Sequence, residues 1–169
     1  MEHAKGLVLF AHMMAGILWV GGLVYVRFVL LPGLGRQQPA VRGPIVADVG
    51  PRTVSYLLRM GEITMALGIV NVFIFGRITQ MEQFVTTTWG LTITLGFAFS
   101  LAIYLIGQMV TRPATAKIAA TVGAVAAGTP PPDAPALLAA LAARQGKALL
   151  VQSALGVLAV LTMATARFS

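Results

Sequence analysis

One stretch constrains this chain more than any other. Residues 5–32 read KGLVLFAHMMAGILWVGGLVYVRFVLLP, almost without a polar side chain. A helix needs about 20 apolar residues to cross the ~30 Å hydrocarbon core of a bilayer, and this run supplies them. In lipid the backbone must satisfy its own hydrogen bonds, so the run has to be helical. It is longer than the apolar part of a signal peptide, and no small-residue cleavage site follows residues 29–32, so it is expected to remain as a first helix.

Similar runs follow. The apolar pattern predicts spans at about residues 6–31, 54–76, 88–110 and 148–166, in one integral membrane domain covering residues 1–169. The fold class expected is all-α, a bundle of four transmembrane helices. Residues 33–52 hold Gly, Pro and Arg with little periodicity and read as a loop, with room for a short interfacial helix. Arg112-Pro113 is expected to break the third span and open a long connection at 111–147. Within it, the Ala-rich segment 114–127 is expected to lie as a helix on the membrane surface. Asp133 and Pro135 suit the start of the last helix, whose first half is expected outside the membrane, and Gly146 offers a kink. Charged residues make up only 10% of the chain, against about 25% in soluble domains. There are no cysteines, which excludes disulfides, thiolate metal sites and iron–sulfur clusters.

The formal net charge of +7 reports topology. Arg36, Arg42 and Arg52 follow the first span, and Arg112, Lys117, Arg144 and Lys147 precede the fourth. Four spans put both groups on one side. The other side has Lys5, Arg77 and Arg167, diluted by Glu2 and Glu82. The excess places the two loops in the cytoplasm and both termini outside, as in a multi-pass protein of the inner or plasma membrane. The basic residues are dispersed along membrane-flanking loops with no interleaved aromatics, so the lipid bilayer is the partner expected and nucleic acid is not. No Ser-His-acid set, paired carboxylates or phosphate-binding Gly loop is present, so no hydrolytic or transferase activity is read.

Inside the first apolar run sits His12, and a polar group at that depth is a functional-site hypothesis by default. His12, Gly16, Trp19 and Leu23 recur at helical spacing on one face, with Ala15 and Gly22 beside it. Ala15 and Gly16 would leave room for a flat ligand on His12, and Trp19 would wall one edge. The alternative is that His12 hydrogen-bonds a neighbouring helix and the small residues only pack helices. By counting turns, Asn71, residues 92–95 and Met163 should share the depth of His12. Asn71, Thr92 or Thr94 is the expected partner of its second ring nitrogen. Met163 is the best-placed candidate for a second iron ligand. Arg59 and Glu62, three residues apart, are expected to be coupled with Arg27 close by, as an ion pair, as a proton or quinone site, or as an arginine pair for an anionic headgroup or propionate.

The run from His12 through Trp19-Val20-Gly21-Gly22-Leu23-Val24-Tyr25 resembles the first helix of two membrane families. One is the copper-resistance D family, in which a His is followed at the same spacing by a Trp-Val/Leu-Gly-Gly run. The other is the HemJ-type protoporphyrinogen oxidases, with His, then Trp-x-Ala-Gly-Leu-x-Tyr and an Arg. Here Gly21 takes the Ala place and Arg27 falls one residue early. The resemblance covers the first helix and the four-helix size. It implies that His12 ligates haem b, with Ala15, Gly16, Trp19, Asn71 and Arg27 around it. HemJ-type proteins resemble one another in a lysine ligand deep in a later helix. None lies within the predicted later spans here, which argues against that oxidase activity.

Three functions follow as expectations: a haem-b protein carrying electrons near the outer face, a structural subunit of a respiratory or photosynthetic membrane complex or a homodimer, and copper handling. The last would want clustered Met and His ligands. His12, Met13 and Met14 point in different directions around a helix, leaving His3 and the amino terminus as a separate outer site.

Overall fold

The structure, a computed structural model, describes residues 2–75 and 79–166, with the side chains of Glu2 and Phe75 not described. Arg77 and Arg167, which entered the charge balance, lie outside the described residues, as does Gly76 at the end of the predicted second span. The described residues are almost all helical, with no strand among them. The elements are α1 (Glu2–Tyr25), a π-helical turn (Val26–Leu30), α2 (Leu31–Gly35), α3 (Pro39–Phe75), α4 (Gln83–Thr86), α5 (Thr88–Ile106), a second π turn (Gly107–Thr111), α6 (Arg112–Ala126) and α7 (Ala134–Thr165). They join into four rods, His3–Gly35, Pro39–Ile74, Thr88–Ala126 and Ala134–Thr165, each long and apolar enough to cross a membrane.

The rods are longer than the predicted spans. At 32 to 39 residues they measure ~48–58 Å, well beyond the hydrocarbon core. The loop expected at 33–52 is mostly the start of α3, with Pro44 and Pro51 inside the helix. Arg112-Pro113 does not break the third rod. The reason is the π turn before it: the Arg112 N–H reaches back to the Gly107 carbonyl, and the widened turn makes room for the proline ring. Pro32 is admitted the same way, with the Leu31 N–H on the Val26 carbonyl. Segment 114–127 therefore continues the third rod as α6 and packs on α3 and α7 instead of lying along a membrane surface. Asp133 does precede α7, without a side-chain cap bond, and α7 runs unbroken through Gly146.

Glycines set the register between the rods. Gly16 lies against the Thr64 methyl, Gly22 against Leu57, Gly61 against the Trp19 indole and Gly68 against the His12 ring. These pairs fix α1 antiparallel to α3. Gly43 against Val122, Gly50 against Thr115 and Gly107 against Leu58 do the same for α3 and the third rod. Gly96 against Met163 and Gly107 against Gln152 align the third and fourth. Following that register, Arg27, Thr53, Arg112 and Lys147 fall on one level. From Arg27 back to Lys5 is ~33 Å at 1.5 Å per residue, the thickness of a bilayer core. The segments between those two levels have the length that crosses a membrane, and the remaining turns, with the short links at 36–38 and 127–133, extend beyond them at one end. We call this the hairpin end, and the other the terminal end.

The core is the cluster Trp19, Leu23, Val26, Leu57, Ile103 and Leu149. One buried amide ties the second hairpin together: Gln152 accepts from the Thr111 hydroxyl at 3.0 Å and donates to the Ile103 carbonyl at 3.0 Å. At the terminal end Thr87 caps α5, its hydroxyl oxygen accepting from the Gly90 N–H.

Candidate functional site

His12 projects from α1 onto α3, where Gly68 removes the side chain that would block it. A Cβ at Gly68 would stand 3.0 Å from the ring Cε1. The ring nitrogen Nδ1 lies 2.9 Å from the Thr64 carbonyl oxygen. A carbonyl only accepts, so Nδ1 carries the hydrogen and Nε2 keeps its lone pair. Nε2 has no hydrogen-bond partner among the described residues, and the ring is half-buried. Thr64 itself donates its hydroxyl to the Met60 carbonyl at 2.7 Å. The second ring partner is therefore a backbone carbonyl, in place of Asn71, Thr92 or Thr94. Those two threonine hydroxyls bond backbone carbonyls instead, Thr92 to Thr88 and Trp89, and Thr94 to Phe84.

The other predicted site residues divide. Ala15, Gly16 and Trp19 are on the bundle side of α1, as their spacing implies. They do not leave an open bed for a ligand. Gly16 is closed by Thr64, and the Trp19 indole lies on Gly61 and is 3% exposed. The small residues bring α1 and α3 into close contact, so this face follows the helix-packing alternative. Asn71 sits one turn from Gly68 on α3, buried, and both its amide atoms lack a partner among the described residues. An amide buried without partners is costly, and more so in lipid. Met163 lies in the interface of the second hairpin, its thioether methyl against Gly96. Arg27 lies about 22 Å along the first rod from His12, toward the hairpin end. Its guanidinium is 5.4 Å from the Phe28 ring centroid, and its Nε is buried without a partner.

As a haem ligand, the imidazole fits. A ligating histidine typically donates its other N–H to a carbonyl or carboxylate, which holds ring and tautomer. Nε2 of His12 is prepared in that way, and the orphaned Asn71 amide is on the same side of the bundle. Ala15, Gly16 and Trp19 do not fit as the porphyrin bed. The apolar cavity in the bundle, about 60 Å³, lies toward the hairpin end between Trp19, Leu58, Ile103, Gln152 and Leu149, without His12 in its wall. Among the described residues no three His, Cys, Asp or Glu side chains gather to hold a bare metal ion.

A second polar constellation joins residues that the sequence did not connect. Glu62 is not paired with Arg59. Its carboxylate accepts from the Tyr104 hydroxyl at 2.9 Å; that oxygen accepts from Gln108 Nε2 at 2.8 Å; and Gln108 Oε1 accepts from Arg112 Nη1 at 3.1 Å. Position on α3 explains the correction: Glu62 meets Tyr104 on the third rod, whereas Arg59 is exposed. The signal available in sequence was the spacing of Tyr104, Gln108 and Arg112, one turn apart on one face. Arg52 and Asp48, exposed at the hairpin end, form an ion pair at 2.8 Å. Comparison with protein-family models, curated proteins and solved structures found no match.

Proposed function

We propose that this chain is a membrane haem-b protein in which His12 is an axial ligand, with a redox role in the terminal-end half of the bundle. The observation that carries the reading is the Nδ1–carbonyl bond from His12 to Thr64, which leaves Nε2 free on an oriented ring. The first-helix resemblance to copper-resistance D and HemJ-type proteins supports the same assignment. A haem brings four of its own nitrogens, so one protein imidazole is a sufficient start where a bare ion would lack donors. Bound there, it would supply a one-electron iron couple. The chain's own residues hold the imidazole (Thr64, Gly68) and contribute the unpartnered amide of Asn71. Lys147, though within α7, is at the opposite boundary level and does not restore the lysine ligand of the HemJ-type pattern. The charge balance supports termini on the outer side of an inner or plasma membrane.

The test is an optical spectrum of detergent-purified protein made with ample haem supply. A Soret band with sharp reduced α and β bands is expected. His12→Ala should abolish it while far-UV circular dichroism keeps its helical signal, and Asn71→Leu should lower haem retention or move the redox potential. Wild-type protein without haem would end this reading. A second reading, a structural subunit of a larger membrane complex, then takes its place. It is favoured by the use of Ala15, Gly16 and Trp19 for helix contact, and copurification with a membrane partner would support it. Copper handling has the least support: Met13 and Met14 are exposed on faces that His12 does not share.

A further inference from the structure

The groove between the second and third rods opens into a cleft at the hairpin-end boundary. It is lined by Pro51, Val54, Ser55, Arg112, Thr115 and Ala116 and encloses about 220 Å³. Arg112 is exposed there, with one N–H on Gln108 and no ion-pair partner among the described residues. The Ser55 hydroxyl is also without a partner among them. The Thr115 hydroxyl is already engaged, donating to the Thr111 carbonyl and accepting from Gln145.

A second cation lies beside the cleft, outside its wall. Arg59 lies one turn beyond Ser55 on α3, exposed, and ~9 Å inside the boundary level at 1.5 Å per residue. Its nearest carboxylate in sequence, Glu62, is turned to Tyr104, and Arg52 is held by Asp48. Arg59 thus carries a charge within the membrane with no anion supplied by the described residues. Side chains lean toward their own helix N-terminus. The second rod starts at the hairpin end, so Arg59 leans back toward Ser55. The third rod runs the other way, so Arg112 leans toward Gln108, as its hydrogen bond shows. The two side chains therefore leave their helices toward each other's level, which brackets Ser55.

We propose that this cleft binds a phosphate-bearing anion, namely the headgroup of an anionic phospholipid in the hairpin-side leaflet. Guanidinium forks match phosphate oxygens in pairs, and basic pockets between helices at a membrane boundary take such headgroups. Arg112 and Arg59 hold the phosphate, and Ser55 donates a third bond. The site lies in the other half of the bundle from His12 and does not depend on the haem reading.

The protein purified in dodecyl maltoside is titrated with phosphatidylglycerol, phosphatidylcholine or inorganic phosphate, and the melting temperature is followed. Phosphatidylglycerol should raise it saturably and phosphatidylcholine should not. Arg112→Gln and Arg59→Gln should each weaken the apparent affinity roughly tenfold, the effect of about one charge-assisted bond. Arg112→Lys, which keeps charge and loses the fork, should fall between. Arg144→Gln, an exposed arginine at the same end, should leave the affinity unchanged. Inorganic phosphate that gives the same saturable shift and competes with the lipid would overturn the lipid assignment in favour of free phosphate. Equal responses to the two lipids, or wild-type affinity in both glutamine variants, would overturn the site.

Discussion

Replacing Gly61 by alanine tests how the first two rods are held. A Cβ at Gly61 would stand 2.7 Å from Cε2 and Cζ2 of Trp19 and 3.2 Å from its Nε1. Carbon atoms rest at about 3.5–4.0 Å, so roughly 1 Å has to be found. The indole is 3% exposed and sits in a cluster with Leu23 and Leu57, with only the cavity of about 60 Å³ beside it, too small to take the ring. The rods must separate or the ring must leave its rotamer, an overpacking cost of about 1–3 kcal/mol. Alanine also gains about 0.8–1 kcal/mol of helix propensity over glycine, which masks part of that cost. Gly21→Ala is the control, because nothing lies within 4 Å of a Cβ there and only the propensity gain applies. The difference between the two variants isolates the packing cost. For a chain of 169 residues it corresponds to several degrees in melting temperature. Thermal unfolding in detergent, followed by circular dichroism, is the assay. Trp19→Phe in the Gly61→Ala background should recover part of the loss. If Gly61→Ala melts at or above Gly21→Ala, the glycine-against-indole contact is not what holds these rods.

Other outcomes are expected. Gln152→Leu should destabilise by about 1–3 kcal/mol, because the Thr111 hydroxyl loses its buried partner and the Ile103 carbonyl keeps only the Gly107 N–H; the denaturation midpoint measures it. Tyr104→Phe should cost about 1 kcal/mol through its bond to Glu62, while Arg59→Gln in lipid-free detergent should be near neutral. A loss of roughly 3–5 kcal/mol in the arginine variant would instead restore the Arg59–Glu62 ion pair. Reporter fusions at Gln38 and Gly128, in the two hairpin-end links, should both behave as cytoplasmic; export of either would refute the charge argument for orientation.

Much of the architecture is legible in the sequence because the bilayer leaves an apolar chain few choices. Runs of about 20 apolar residues must be helices, and they must cross. That reasoning finds the four spans and the polar residues embedded in them, including His12, Asn71 and Glu62. It fails where a local rule is overridden. Pro44 and Pro51 read as loop and Pro113 as a break in the third span, yet these three and Pro32 lie inside rods. Two of them follow π turns that absorb the missing N–H, a backbone adjustment with no signature in residue types alone.

Partnership was decided by tertiary structure. Spacing puts His12, Ala15, Gly16 and Trp19 on one face, but it does not say what covers that face. The covering helix brought its own small residues, Gly61 and Gly68, to the opposing positions, and the expected ligand bed became a helix contact. It also brought the Thr64 carbonyl to the imidazole, a partner no side-chain motif encodes because every residue has one. Glu62 turned from Arg59 to Tyr104 for the same kind of reason: residues three apart on a helix are neighbours, but each follows the face that its own direction gives it. Sequence determined which polar groups entered the membrane, through the cost of placing them there. Packing determined which of them meet, because that depends on the register between rods, and the register is set by where glycine permits close approach.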